Sequence, residues 1–158
     1  MNTRYDVAII GCGEAGIFAG YELMHRNPGL KVVTLDQGAD IYTRSCPIVA
    51  GKVKECIHCK VCDTMCGFGG AGAFSDGKLT TGTHDPRIST VFRALVEAGA
   101  PADILYQHKP HIGTDILRDV VRNVRRELLA LGCDVRFGHR LAGLDVRDGA
   151  LRAVAVDG

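Results

Sequence analysis

The chain has 158 residues, enough for one domain with a buried core, and 46% of them are hydrophobic against 23% charged. A formal net charge of +1 gives no electrostatic footprint for nucleic acid or an anionic membrane surface. No apolar run reaches bilayer-spanning length and the N-terminus has no secretory pattern; with seven cysteines, that predicts a reducing compartment, the cytoplasm by default.

Residues 5–10 (YDVAII) form a short apolar run closed by glycine and predict a buried strand. Residues 14–25 then carry Ile17, Phe18, Tyr21, Leu23 and Met24 on one broad face, a helix that Asn27-Pro28-Gly29 stops. Residues 31–35 (KVVTL) predict a second strand, followed by Asp36, so the chain opens on a βαβ unit. Residues 37–85 form a long irregular insertion holding five of the seven cysteines, and a loop of that length inside a domain is usually functional.

Asp85-Pro86 opens a further helix, whose Ile88, Val91, Phe92, Leu95 and Val96 keep helical spacing as far as Gly99. Residues 101–112 give no clear pattern. The strongest helix covers 115–131, with Ile116, Leu117, Val120, Val121, Val124, Leu128 and Leu129 in one stripe and Thr114 as N-cap. Arg118, Arg122, Arg125 and Arg126 on the same helix read as a solvated basic surface. Residues 134–137 (DVRF) predict another strand, and the alternating runs LAGLDV and LRAVAV, joined at Arg147-Asp148-Gly149, predict a β-hairpin near the C-terminus. The sum is a Rossmann-like α/β domain spanning 1–158 that looks unfinished, as expected of part of a longer protein.

Gly11-Cys12-Gly13-Glu14-Ala15-Gly16 matches G-x-G-x-x-G between the first strand and first helix. Gly11 serves the sharp turn, Gly13 leaves room for a pyrophosphate against the backbone, and Gly16 lets the helix pack on the strand. Glu14 and Ala15 open the helix, whose free N–H groups and dipole favour phosphate. Asp36, twenty residues beyond Gly16 with Gln37 after it, can accept both hydroxyls of an adenosine ribose and would repel a 2′-phosphate. The residues therefore predict a dinucleotide site, for FAD or NAD.

Further on, GFGGAGAFSDGKL (67–79) clusters Gly69, Gly70, Ala71 and Gly72 with Ser75 and Lys78, and its backbone N–H groups could converge on an anion. Lys78, oriented by Asp76, could set positive charge beside a flavin; an ordinary surface loop is the bland alternative. His84, His108 and His111 have no evident partner and read first as structural or surface residues; His111, before Ile112-Gly113-Thr114, is the pick if one of them is a proton donor.

Cys56-x2-Cys59-x2-Cys62-x3-Cys66 has the spacing of the bacterial ferredoxin run, although Gly67 replaces its proline and no second run exists. Three such thiolates reach three corners of a [4Fe–4S] cubane; Cys46, before Pro47, is the first candidate for the fourth and Cys66 the second. Structural zinc, a redox disulfide across a C-x-x-C, and unligated thiols are the alternatives. Cys12 and Cys133 read as packed small apolar residues.

DVAIIGCGEAGIFAGYEL and VVTLDQG resemble the start of flavoproteins with two dinucleotide-binding domains. GFGGAGAFSDGKL and KPHIGTDILRDVVRNVRRELLALGCDVRF are similar, more specifically, to a family of bacterial and archaeal FAD-dependent dehydrogenases. The resemblance implies that Gly11, Gly13, Gly16 and Asp36 hold the adenosine diphosphate of FAD, and that residues 69–78 lie near pyrophosphate or flavin. It also implies an oxidoreductase passing hydride or electrons between a small-molecule substrate and flavin, with a cluster or redox thiols as a relay. Such proteins are much longer, and their later FAD-binding segment and substrate domain have no counterpart here; a non-catalytic nucleotide-binding or electron-transfer fragment is the second reading.

Overall fold

The computed structural model describes residues 3–157. Its elements run β1 (Val7–Ile10), α1 (Glu14–Arg26), β2 (Val32–Asp36), α2 (Ile88–Glu97), α3 (Thr114–Ala130), β3 (Asp134–Phe137), β4 (Arg140–Arg147) and β5 (Ala150–Asp157), with 3-10 turns at Ala71–Phe74 and Ala102–Leu105. β2 is central in a three-stranded parallel sheet, Val7 lying opposite Val32 on one side and Val33 opposite Asp134 on the other. Parallel neighbours need long crossovers. α1 supplies the first, and the chain from the insertion through α3 supplies the second.

All five residues of β2 are buried, Val32, Val33 and Leu35 in the apolar core and Thr34 and Asp36 as buried polar groups. Ile17 and Met24 of α1 and Leu117, Val120, Val124 and Leu128 of α3 close over the sheet, the α3 set at steps of three and four residues. Cys12 and Cys133 belong to this core. Burial holds the Cys12 thiol up to about 12, with the nearby Asp36 carboxylate adding to the effect. At the C-terminal side β4 and β5 pair antiparallel through a two-residue turn in which Asp148 (φ 53) and Gly149 (φ 72) are both left-handed, the type I′ geometry that the Asp-Gly pair predicts.

Two expectations need correction. Thr114 is not the cap of α3: Gly113, at φ 95, turns the chain at that position, and Thr114 becomes the first helical residue without a side-chain cap bond. The basic face of α3 is not merely solvated either. Arg118 Nη2 donates to the carbonyls of Ile41 (3.2 Å) and Arg44 (3.1 Å), and Arg125 pairs with Asp40 at 2.5 Å. Arg122 and Arg125 lie over the Tyr42 ring at 5.3 and 5.4 Å. Only Arg126 keeps to exposed contacts on its own helix. The helix thus fastens the start of the insertion to the domain, through charge-assisted bonds stronger than neutral ones.

Among the described residues, no helix is long and apolar enough to cross a membrane.

Candidate functional site

Ligands of parallel α/β sheets bind outside the carboxyl ends of the strands, and the structure has a cavity of about 360 Å³ in that position. Its lining includes Gly11, Gly13, Asp36, Gln37, Cys66 and Gly70, with His139 and Arg140 following β3. The first turn bond of α1 runs from the Ile17 N–H to the Gly13 carbonyl at 2.9 Å, which leaves the amides of residues 14–16 at the helix N-terminus beside the cavity.

The fingerprint glycines divide by role. A Cβ on Gly16 would overlap the Gly11 carbonyl oxygen and lie 3.1 Å from the Gly11 carbonyl carbon, so this glycine is needed for helix–strand packing. A Cβ on Gly13 would meet nothing within 4 Å. Its backbone (φ −71, ψ 179) is one any residue adopts. Nothing in the folded chain demands glycine at position 13; the space in front of it is cavity.

Asp36 does more than face the cavity. Its Oδ2 accepts from the Cys12 N–H at 2.7 Å, and its Oδ1 accepts from the N–H groups of Gly38 (2.7 Å) and Gly67 (2.8 Å). One buried carboxylate therefore ties the fingerprint turn, the start of the insertion and the glycine loop together. The Gly69 N–H completes the join by donating to the Cys12 carbonyl at 2.8 Å, and this sets Gly70 against Gly13.

From the loop 69–78, Gly70 lines the cavity. Gly69 packs against Val121 and Ala73, Gly72 against the Glu14 side chain, and Ala71 begins the 3-10 turn. Glu14, Ala15, Ser75 and Lys78 are outside the lining. The Ser75 hydroxyl accepts from the Gly77 N–H, and Lys78 Nζ pairs with Asp76 at 2.8 Å, both side chains exposed. That pair holds the Asp76 carboxyl low and the Lys78 ammonium high. His111 is the backbone neighbour of Lys78 in an isolated antiparallel bridge, which brings together two residues picked out separately from the sequence.

The cysteines separate into two groups. Cys46, Cys56, Cys59 and Cys62 line a cavity of about 220 Å³, whereas Cys66 lines the one beside Gly13 and accepts from Gln37 Nε2 at 3.3 Å. Backbone N–H groups of Val49 and Ile48 and the Thr64 hydroxyl hold the Cys46 thiol below its ordinary range. All seven cysteines are free thiols, and among the described residues no group of three or more His, Cys, Asp or Glu is placed to hold a metal ion.

Arg44 is the residue sequence reasoning missed. It is 2% exposed, and its guanidinium donates to the carbonyls of Asp63 (2.8 Å), Phe68 (2.7 Å) and Thr64 (3.2 Å) while stacking on Phe74 at 4.9 Å. Burial pulls its pKa down, against the Asp63 and Asp36 carboxylates that support its charge. His139 and Arg140 were also missed, though their place just past a predicted parallel strand is the signal that could have found them.

No family model matches the chain. An uncharacterized protein of Clostridium beijerinckii is 41% identical over 150 residues, which is 95% of this chain and 28% of that protein. A Dictyostelium discoideum protein, L-2-hydroxyglutarate dehydrogenase, mitochondrial, is 40% identical over 57 residues, 36% of this chain and 12% of its own length. The chain thus spans less than a third of the curated relatives it matches. Among solved structures it is similar to 3-ketosteroid-delta4-(5alpha)-dehydrogenase from Rhodococcus jostii RHA1 (TM-score 0.59, 13% identity, 98% of this chain and 43% of that one). It is also similar to L-amino acid deaminase from Proteus myxofaciens (TM-score 0.56, 14% identity, 99% and 43%) and to Thermovibrio ammonificans THI4 (TM-score 0.55, 18% identity, 97% and 47%). These likenesses show the fold.

Proposed function

We propose that this chain is the FAD-binding part of an oxidoreductase that exchanges hydride or electrons with a small-molecule substrate through its flavin. The observation that carries the reading is Gly13, a fingerprint glycine that the folded chain itself does not require, facing open space beside the N-terminus of α1. A Cβ there would fill the approach a pyrophosphate takes. The remaining donors suit the adenosine diphosphate half: amides of residues 14–16 for phosphate, Gly70 as the opposite wall, and Asp36 and Gln37 for ribose. Asp36 already accepts three N–H bonds, so a ribose hydroxyl would share its remaining lone pairs.

FAD, when bound, supplies the redox centre. The chain's own residues bind and orient it: Gly13 and Gly70 admit the pyrophosphate, and Arg140, ion-paired with Asp157 at 2.7 Å, stands at the rim. Ser75, Lys78 and His111 are proposed to sit on the flavin side of the site, where Lys78 would stabilise negative charge and His111 would hold a proton. The fold shared with a steroid dehydrogenase and an amino acid deaminase, and the partial match to a hydroxyglutarate dehydrogenase, support redox chemistry on a flavin over a purely structural role. Cytoplasmic location belongs to the same proposal, since seven free thiols suit a reducing compartment.

Separate equilibrium titrations of the apoprotein with FAD and with NAD test it. FAD saturating one site while NAD fails to compete supports the reading; NAD binding with no affinity for FAD overturns it.

A further inference from the structure

The insertion builds a second site that the dinucleotide reading does not use. Arg44 is its organiser. Its buried guanidinium takes the carbonyls of Asp63 and Thr64, and the Ser45 N–H donates to Asp63 Oδ2 at 3.1 Å. Cys46 is two residues beyond Arg44, and Cys62 is one residue before Asp63. The clamp therefore brings an upstream cysteine to the end of the C-x2-C-x2-C run. Between Cys56 and Cys59, His58 takes a left-handed conformation (φ 49), rare for a residue with a side chain, and the chain curls so that both neighbours line the same cavity.

Four cysteines then line one cavity of about 220 Å³, together with Pro47, Ile48, Val53, Ile57, His58 and Asp63. They do not converge as a single ion requires. Tetrahedral zinc at a Zn–S distance of about 2.3 Å would need its sulfurs roughly 3.8 Å apart. A cubane is itself a body of several atoms, and it takes one thiolate at each of four corners with space between them. Cys66 falls outside this set. It is one helical turn beyond Cys62, its N–H bonded to the Cys62 carbonyl at 2.8 Å, yet it lines the cavity beside Gly13.

We propose that Cys46, Cys56, Cys59 and Cys62 ligate a [4Fe–4S] cluster and that Cys66 does not. On ligation each thiol gives up its proton and forms one Fe–S bond, so that four protons leave as four ligand bonds form. The Cys66 N–H bond to the Cys62 carbonyl therefore joins the backbone of this cavity's lining to that of the dinucleotide cavity. The proposal stands whether or not that cavity takes FAD.

The test is anaerobic reconstitution of the protein with equal parts of ferrous and ferric iron and with sulfide, followed by iron, acid-labile sulfide and flavin assays and by EPR of the dithionite-reduced sample. The wild type is expected to retain about four irons and four sulfides per chain, with a broad brown absorbance and an S = 1/2 signal on reduction. Cys46→Ala, Cys56→Ala, Cys59→Ala and Cys62→Ala should each lose most of that iron, whereas Cys66→Ala should retain it. Circular dichroism melts check that the variants fold. Iron failing to remain in folded wild type, one equivalent of zinc bound without sulfide, or Cys66→Ala losing iron while Cys46→Ala keeps it would each overturn the assignment. Full iron without bound flavin overturns the flavin reading alone.

Discussion

Gly13→Ala and Gly16→Ala differ by one methyl at positions three residues apart, and they should fail in opposite ways. At Gly13 the backbone is extended and an added Cβ has no neighbour within 4 Å. Folding should be unaffected or gain about 0.4–1 kcal/mol from the stiffer unfolded chain. Nucleotide binding should suffer, because the methyl occupies the pyrophosphate approach. Losing one charge-assisted bond from phosphate to the helix amides costs about 1.5–3 kcal/mol, or roughly a ten- to hundred-fold rise in Kd. At Gly16 the same methyl runs into the Gly11 carbonyl, with the Gly11 carbon at 3.1 Å and Ile9 Cγ2 at 3.3 Å. Backbone cannot step aside cheaply, so α1 must lift from β1 at a cost of about 3 kcal/mol. The assay is urea unfolding of both apoproteins by circular dichroism, paired with FAD titration. A Gly13→Ala protein that binds FAD as tightly as wild type would refute the placement of the pyrophosphate. One as unstable as Gly16→Ala would refute the geometry of the turn.

Three further outcomes follow from the contacts. Arg44→Met removes the donor to three carbonyls and should destabilise by about 3–5 kcal/mol in urea melts, whereas the exposed Arg126→Ala should change stability by less than about 0.5 kcal/mol. Asp36→Asn keeps one acceptor oxygen and turns an NH₂ toward N–H donors, so it should cost about 2–3 kcal/mol and weaken FAD binding, read by melt and titration. The Cys12 thiol has its pKa raised in the fold from 9.0 to about 12, so above pH 9 the unfolded chain loses a proton the folded chain keeps. Stability should therefore fall with rising pH through that window by up to about 1.4 kcal/mol per pH unit, and Cys12→Val should flatten the slope under reducing conditions.

The elements that could be read from the sequence are those fixed by local rules. β2 and α3 announce themselves by a short run rich in valine and leucine and a stripe at helical spacing, and the hairpin by an Asp-Gly pair suited to two left-handed residues. The fingerprint was legible because strand, glycines and helix are contiguous. What escaped is carried by contacts across long separations. Arg118 and Arg125 are ordinary basic helix residues until the insertion, some 74 to 85 residues earlier, folds against them. Arg44 has no motif around it, and only the carbonyls of residues 63–68 explain its burial. The position of Asp36 points to ribose, but its bond to the Gly67 N–H depends on a residue 31 positions later. The thiols show both sides: spacing picked out Cys56, Cys59 and Cys62, while the choice between Cys46 and Cys66 needed the two cavities.

The most direct measurement is the visible spectrum of the anaerobically purified protein, with the nucleotide released by acid and identified. The account predicts two resolved flavin bands and one FAD per chain, lost in Gly13→Ala. A protein without flavin bands, from which no FAD is released and which takes none up on titration, would contradict it.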